Sequence, residues 1–208
     1  MKILVIGATG ATGRELAAQG TALGHVITAA VRRPERANLP SSVKVARVDV
    51  TDSASLAGAV VGQDAVVSSL GAKLSRRPTT LLSNGTRKLV TAMLDARVRR
   101  LVCITGIGAG DSKGHGGFLY DRIIQPLLLN EIYKDKTRQE TVVRDSALDW
   151  TLVRPGQLTN GAKTEHVRAL TDLTGITVGK VSRADVAAFI LAHIGDESSF
   201  RTTFTLTY

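Results

Sequence analysis

Short apolar runs alternate along this chain with longer segments in which apolar residues recur at helical spacing. The runs cover residues 3–6, 26–31, 43–48, 65–69, 100–104 and 151–153, and most are rich in β-branched residues. Helical stretches such as 12–23 and 86–96 lie between them. Strands and helices that alternate in this way predict a parallel sheet covered on both faces by helices.

The pattern changes near the carboxyl end of the chain. Ser182 is expected to cap a helix whose third position is Asp185 and whose apolar stripe follows directly. Residues 200–206 then predict a closing edge strand. Since no repeat, low-complexity tract or linker interrupts residues 1–208, we expect one α/β domain with a doubly wound parallel sheet.

A glycine-rich turn joins the first predicted strand to the first predicted helix. It contains Gly7, Gly10 and Gly13. Glycine permits a tight turn and close backbone approach, and the free N–H groups of the following helix face a phosphate. Because strand, turn and helix occur in the required order, the segment predicts a Rossmann-like domain that holds the pyrophosphate of a dinucleotide.

The end of the second predicted strand bears on the choice of coenzyme. A protein that prefers NAD would place an acidic side chain there, whereas this chain has Arg32 and Arg33. Guanidinium groups bind a 2′-phosphate with charge-assisted hydrogen bonds, so we expect NADP(H). The alternative is that both arginines are solvated loop residues.

Two more strand ends belong to the same predicted crevice. Asp49 and Val50 follow the third strand, where the carboxylate could accept from the adenine amino group or cap the next helix. Leu70 and Gly71 follow the fourth strand and are expected near the central part of the coenzyme.

Composition narrows the choice of partners. The 208 residues are 43% hydrophobic and carry a formal net charge of +9, but the basic residues are spread out without aromatic interleaving, so no specific nucleic acid is expected. Cys103 lies in an apolar run, so we expect its small side chain to be buried in the core. The histidines lack the spacing of metal ligands, and we expect no metal site.

The start of the chain and its apolar runs bear on location. The first predicted strand begins at the start of the sequence, so we expect no signal peptide, and no apolar run approaches the length of a membrane span. We therefore expect a cytoplasmic protein with no membrane partner. The expected oligomeric state is a monomer or a homodimer.

Five motifs occur in a fixed order, at residues 7–13, 31–33, 62–66, 148–156 and 182–187. With this set the sequence resembles the atypical short-chain dehydrogenase/reductases with an NAD(P)-binding domain of the NmrA-like and biliverdin/flavin-reductase type. The resemblance implies a domain that binds NADPH, with the nicotinamide near the ends of the fifth and sixth strands. The implied contacts are Gly7, Thr9, Gly10, Ala11, Thr12 and Gly13 at the phosphates, Arg32 and Arg33 at the 2′-phosphate, Asp49 and Val50 at the adenine, Leu70 and Gly71 near the ribose, and Thr105, Pro155, Gly156, Gln157 and Leu158 near the nicotinamide.

The catalytic residues depart from the better-known pattern of short-chain dehydrogenases. That pattern places a tyrosine and a lysine four positions apart on one helix, whereas here Tyr133 and Lys136 are three apart. Both spacings keep the pair on one side of the helix, but one position rotates the phenol by about 100°, so proton donation by Tyr133 is not expected. Thr105 stands where a serine is common. The candidate catalytic residues are therefore Lys136, which would also hold the coenzyme ribose, Tyr133 and Thr105.

Three functions fit this arrangement. A reductase that passes a hydride from NADPH to a planar acceptor such as a flavin, quinone or tetrapyrrole needs no strong acid, because solvent can supply the proton. A regulatory protein that senses NADP(H) without catalysis would have the same residues. Nucleotide-sugar epimerase or dehydratase chemistry is the third alternative.

The substrate side is predicted in two segments, at about 106–130 and 157–180. The first begins with several glycines and continues into an apolar block interrupted by Pro126. This block either forms a lid over an apolar pocket or packs on the sheet or on a second subunit. His115 and Tyr120 could reach a small-molecule substrate from this segment.

Overall fold

The computed structural model describes residues 1–72 and 77–208. The strands are β1 (Lys2–Ile6), β2 (Val26–Val31), β3 (Lys44–Arg47), β4 (Ala65–Ser68), β5 (Arg100–Ile104), β6 (Asp149–Pro155), β7 (Gln157–Thr159), β8 (Arg168–Leu170), β9 (Lys180–Ser182) and β10 (Thr202–Thr207). The α-helices are α1 (Ala11–Ala22), α2 (Ser53–Val60), α3 (Leu81–Asp95), α4 (Asn130–Arg144) and α5 (Arg183–Ala192). Short 3-10 turns cover Pro34–Arg36, Gly110–Ser112 and Glu197–Ser199, and a wide π-type helix (Tyr120–Leu129) leads directly into α4.

The large sheet has eight strands in the order β3-β2-β1-β4-β5-β6-β10-β8. Neighbours from β3 to β10 run parallel, and β8 is antiparallel to β10. Because the chain order reverses between β1 and β4, the carboxyl ends of these strands form the crevice where such folds bind ligands. The predicted doubly wound α/β fold is confirmed. A separate two-stranded sheet pairs β7 with β9.

Alternate residues of the buried strands contribute to two hydrophobic cores. Ile3 and Val5 of β1 belong to the core that includes Leu16 of α1 and Ile190 of α5. Leu4 belongs to the core on the other face, with residues of α2, α3 and α4. Since both faces of β1 are covered, the strand has no polar alternation, as the sequence pattern indicated.

The carboxyl-terminal part of the fold confirms one prediction and corrects another. The Ser182 hydroxyl accepts from the backbone N–H of Asp185 at 3.0 Å and caps α5 as predicted. The last strand is not an edge strand, because β8 pairs with its outer side and places Leu170 opposite Thr205. β8 is only three residues long and begins with an arginine, so the sequence shows no apolar pattern there.

Cys103 is buried, as predicted, and Trp150 is buried as well. Burial raises the pKa of the Cys103 thiol to about 12, so this thiol stays protonated at neutral pH. A buried, protonated thiol is a poor nucleophile. Cys103 therefore contributes to packing.

Candidate functional site

The turn between β1 and α1 brings backbone segments into close contact. Gly7 has a φ of 78°, in the left-handed region. A Cβ at Gly7 would lie 2.6 Å from the carbonyl oxygen of Ser69, and a Cβ at Gly13 would collide with the carbonyl oxygen of Gly7. The N–H of Gly10 donates to the Gly7 carbonyl at 2.9 Å and closes the turn. Both flanking glycines are therefore required by the local geometry.

The start of α1 offers unpaired backbone donors. Gly10 is its N-cap, and in the described part of the chain no side chain caps this helix. The first turn of α1 also contains no acidic residue. First-turn N–H groups lack partners inside a helix and carry partial positive charge. They can therefore bind the oxygens of a phosphate.

A cavity of about 500 Å³ opens above the carboxyl ends of β1 to β4, and we call it the dinucleotide cavity. The structure brings eight of the predicted coenzyme residues together in its lining. They are Gly7, Thr9, Gly10, Arg32, Asp49, Val50, Leu70 and Gly71. Ala11, Thr12 and Gly13 lie next to it in the first turn of α1 and are not part of the lining.

The two arginines after β2 occupy different positions. Arg32 lines the dinucleotide cavity, whereas Arg33 precedes the turn Pro34–Arg36 and lies outside the lining. Hydrogen bonds from Thr51, and to a smaller extent the charge of Arg32, lower the pKa of the Asp49 carboxyl. The structure thus places one guanidinium group, not two, at the cavity.

The two roles considered for Asp49 are partly resolved. Its carboxylate accepts from the Thr51 backbone N–H at 2.8 Å and from the Thr51 hydroxyl at 2.7 Å. The N-cap of α2 is Asp52, which accepts from the N–H of Ala54 at 3.0 Å. Of the two alternatives for Asp49, the capping role is therefore wrong. Contact between Asp49 and the adenine stays a prediction.

The residues predicted to lie near the nicotinamide lie beyond this cavity, at the ends of β5 and β6. The Thr105 N–H donates to the Val153 carbonyl at 2.8 Å, and the Ile107 N–H donates to the Pro155 carbonyl at 3.1 Å. Thr105 and Pro155 are therefore neighbours. A Cβ at Gly156 would collide with the backbone of Gly179, so Gly156 allows the crossing of these two segments. Gln157 and Leu158 continue into β7.

The helix α4 brings Tyr133 and Lys136 to the segment that follows β5. The Lys136 ammonium donates to the carbonyl oxygen of Thr105. A Cβ at Gly106 would lie 2.9 Å from the Tyr133 hydroxyl oxygen and 3.8 Å from Lys136 Nζ, so both end groups meet at Gly106. Tyr133 and Lys136 thus share one side of α4, as their spacing of three positions predicts.

Burial affects the protonation of both groups. It raises the pKa of Tyr133, so the phenol keeps its proton, and it lowers the pKa of Lys136. The negative charge of Glu140 partly opposes the effect on Lys136. Tyr120 packs edge-on against Tyr133, with ring centroids 6.4 Å apart. Tyr133 is thus a protonated, half-buried hydrogen-bond donor beside Thr105.

A buried ion pair between Glu140 and Arg154 lies beside these residues and was not predicted from the sequence. Glu140 accepts from the Thr105 hydroxyl at 2.7 Å, and from Arg154 Nε at 2.9 Å and Nη2 at 2.5 Å. Asp111 also binds Arg154. Two sequence signals could have indicated the pair: Glu140 lies one helical turn after Lys136, and Arg154 follows the apolar residues 152 and 153. We call Thr105, Tyr133, Lys136, Glu140 and Arg154 the α4 site.

The apolar block before α4 is largely exposed. Phe118 is 80% exposed and Leu127 is 62% exposed, which excludes packing on the sheet for these side chains. A shallow apolar cavity of about 400 Å³ lies among residues 123–128. The buried Gln125 attaches the segment to the Gly108 carbonyl at 2.9 Å. Tyr120 faces Tyr133, whereas the His115 ring bonds to the carbonyl of Ile176 at 3.0 Å.

The described residues contain neither a cluster of metal ligands nor a helix that could span a membrane. Within residues 1–72 and 77–208, no three His, Cys, Asp or Glu side chains lie close enough together to hold a metal ion. In the same ranges, the helices are too short or too polar to cross a membrane.

Comparison with known proteins identifies the family. The sequence matches the NAD(P)H-binding family over residues 7–197. It is 30% identical to an uncharacterized chloroplastic protein of Arabidopsis thaliana over 96% of this chain and 74% of that protein. It is 29% identical to YhfK of Bacillus subtilis, named an uncharacterized sugar epimerase, over 100% and 94% of the two chains. The fold is similar to ChuY of Escherichia coli, described as an anaerobillin reductase, with a TM-score of 0.85, 23% identity and coverage of 100% and 97%. This chain therefore belongs to the NAD(P)H-binding family, as its glycine turn predicts.

Proposed function

We propose that this protein is an NADPH-dependent reductase that passes a hydride to a small planar acceptor of the flavin, quinone or tetrapyrrole type. The observation that carries the proposal is the exposed apolar surface of residues 118–128 directly before Tyr133. A planar apolar acceptor gains free energy by covering such a surface. The name of the similar ChuY, a reductase, agrees with this substrate class.

The proposed coenzyme preference depends on Arg32. When bound, NADPH supplies the hydride. Arg32 lines the dinucleotide cavity at the position where NAD-preferring proteins place a carboxylate. Its guanidinium group can bind the 2′-phosphate with charge-assisted hydrogen bonds. Arg33, which lies outside the cavity lining, has the smaller role.

The other binding roles follow the positions of the residues. Gly7, Thr9, Gly10, Ala11, Thr12 and Gly13 would hold the phosphates, Asp49 and Val50 the adenine, Leu70 and Gly71 the ribose, and Thr105, Pro155, Gly156, Gln157 and Leu158 the nicotinamide end. Residues 106–130 and 157–180 would form the substrate side. In this arrangement the domain binds the coenzyme across β1 to β6.

Proton transfer is assigned to Tyr133. Its hydroxyl is protonated, lies at Gly106 and faces the segment proposed to border the acceptor. Lys136 holds the Thr105 carbonyl, and Glu140 holds the Thr105 hydroxyl. Thr105 is thus fixed from both sides. Tyr133 is the candidate catalytic residue, and Glu140 is a positioning residue.

One observation favours a second function, a non-catalytic NADP(H) sensor. Lys136 donates to the Thr105 carbonyl, and Glu140 accepts from the Thr105 hydroxyl and from Arg154. These hydrogen bonds leave few groups free for acid–base catalysis. A sensor would bind NADPH tightly and turn over no acceptor.

The two functions are separated by mixing the purified protein with NADPH and a flavin, a quinone or a linear tetrapyrrole, and following the loss of reduced nicotinamide. We expect turnover with at least one acceptor, and a Tyr133→Phe variant about 10 to 100 times slower. Tight NADPH binding without any turnover would establish the sensor instead. Conversion of a nucleotide sugar in the same assay would point to epimerase chemistry.

The coenzyme preference is tested by calorimetry with two matched variants. Arg32→Gln should weaken NADPH binding about tenfold, or about 1.4 kcal/mol, because it removes the charge at the cavity. Arg33→Gln should weaken it less than about twofold, because Arg33 does not line the dinucleotide cavity. NADH binding should be unchanged in both. Equal losses in the two variants would contradict the role given to Arg32.

A further inference from the structure

A second cavity, of about 440 Å³, shares no lining residue with the dinucleotide cavity. It lies over the outer part of the sheet, where the end of α4, the strand β10 and the loops after β5 and β8 come together. Three arginines and five threonines are among its lining residues. We call it the arginine cavity, after Arg144, Arg154 and Arg201.

The floor of the arginine cavity includes a hydroxyl group without a partner. Thr203 and Thr205 of β10 both line the cavity, and Thr205 is paired in register with Arg154 of β6. Phe204, between the two threonines, packs on the core of the opposite face. The Thr203 hydroxyl oxygen is buried and has no hydrogen-bond partner in residues 1–72 and 77–208. A buried hydroxyl without a partner is unfavourable unless a ligand satisfies it.

The guanidinium group of Arg154 adds a second unused donor. Its side chain is 4% exposed. Nε and Nη2 donate to Glu140, and Nη2 also contacts Asp111. Among the described residues, Nη1 has no hydrogen-bond partner. The buried Glu140 carboxylate is thus already bound by Nε and Nη2 of Arg154.

The rim carries charges of both signs. Arg201 forms no ion pair within the described residues, and Arg144 lies 3.9 Å from Glu140, which Arg154 already binds. Asp111 is 80% exposed, and exposed Asp172 accepts from the N–H and hydroxyl of Thr174. Asp111 and Asp172 are exposed to solvent, which screens their repulsion of an anion, whereas the buried Arg154 on the floor is screened less.

We propose that the arginine cavity binds a small oxyanion of the phosphate type. Its oxygens would accept from Arg154 Nη1 and the Thr203 hydroxyl on the floor and from Arg201 at the rim. Guanidinium and hydroxyl groups are the donors that such an anion prefers. The site is separate from the coenzyme phosphates, because none of these residues lines the dinucleotide cavity.

The experiment titrates inorganic phosphate into protein saturated with NADP⁺, at constant ionic strength. Binding is followed by calorimetry and by the fluorescence of Trp150, the only tryptophan, whose ring lies 5.5 Å from the Arg144 guanidinium carbon. We expect saturable binding, with acetate at least about ten times weaker because it carries less charge. Tighter binding of a phosphate monoester than of phosphate would identify a phosphorylated small molecule, and the reverse would identify free phosphate.

Two variants and one matched control decide the location. Arg201→Gln should weaken phosphate binding about tenfold. Arg97→Gln is the control, because Arg97 is also exposed and also has a positive φ, 59° against 53°, but does not line the cavity. Thr203→Val should weaken binding several-fold while the phosphate-free protein keeps or gains stability, because the hydroxyl has no partner there. The proposal would be overturned if phosphate binding did not saturate, if the two arginine variants had equal effects, or if the Thr203→Val variant bound phosphate as tightly as the unchanged protein.

Discussion

The dinucleotide cavity and the α4 site keep their shapes by different means. In the cavity, backbone segments touch where Gly7 meets Ser69, and side chains are secondary. In the α4 site, the buried charges of Glu140 and Arg154 hold Thr105 in place. The first arrangement requires particular residues close together in sequence, whereas the second joins residues that are far apart. The two regions should therefore fail in different ways when they are altered.

The largest effect is expected at the α4 site. Glu140→Gln would leave the Arg154 charge buried without its main partner, and the free energy of unfolding should fall by about 3–5 kcal/mol. Asp111→Asn removes the exposed partner of the same arginine and should cost less than about 1 kcal/mol. Urea denaturation of the two variants measures this difference. Similar losses would mean that burial of the pair does not dominate its energetics.

A smaller loss of stability, combined with loss of function, is expected at the glycine turn. Gly7→Ala adds a Cβ against Ser69 at a positive φ, so unfolding should become easier by about 2–4 kcal/mol and NADPH binding about 100 times weaker. Gly24 has a φ of 80°, and a Cβ there would meet open space. Gly24→Ala should thus cost about 1–2 kcal/mol and leave NADPH affinity unchanged. Thermal unfolding and calorimetry report the two quantities separately.

The smallest effect concerns pH. Burial lowers the pKa of Lys136 from its usual 10.5, so its ammonium loses the proton at lower pH than in the unfolded chain. NADPH affinity should be constant near neutral pH and fall a few-fold as pH rises through the lowered pKa. In that window the unfolded chain binds more protons, so the contribution of Lys136 to stability rises with pH. A Lys136→Arg variant keeps its charge and should show no such fall; identical profiles would exclude Lys136 from coenzyme binding.

The strands and helices were largely predictable because their signals are local. The strands at 26–31 and 100–104 were predicted with the bounds that β2 and β5 have, and Ser182 caps α5 as its sequence indicates. β8 was missed because its pairing with β10 depends on distant residues. The cap of α2 was uncertain because Asp49 and Asp52 are both suitable by type, and only the backbone path selects Asp52.

The sequence by itself determined the sheet, the glycine turn and the dinucleotide family, since each depends on residue types within a few positions. Tertiary structure alone decided that Arg32 and not Arg33 lines the cavity, that Tyr133 meets Lys136 at Gly106, and that Glu140 pairs with Arg154. The physical reason is distance along the chain. Contacts between buried charges depend on how whole helices and strands pack, and no local pattern records that packing.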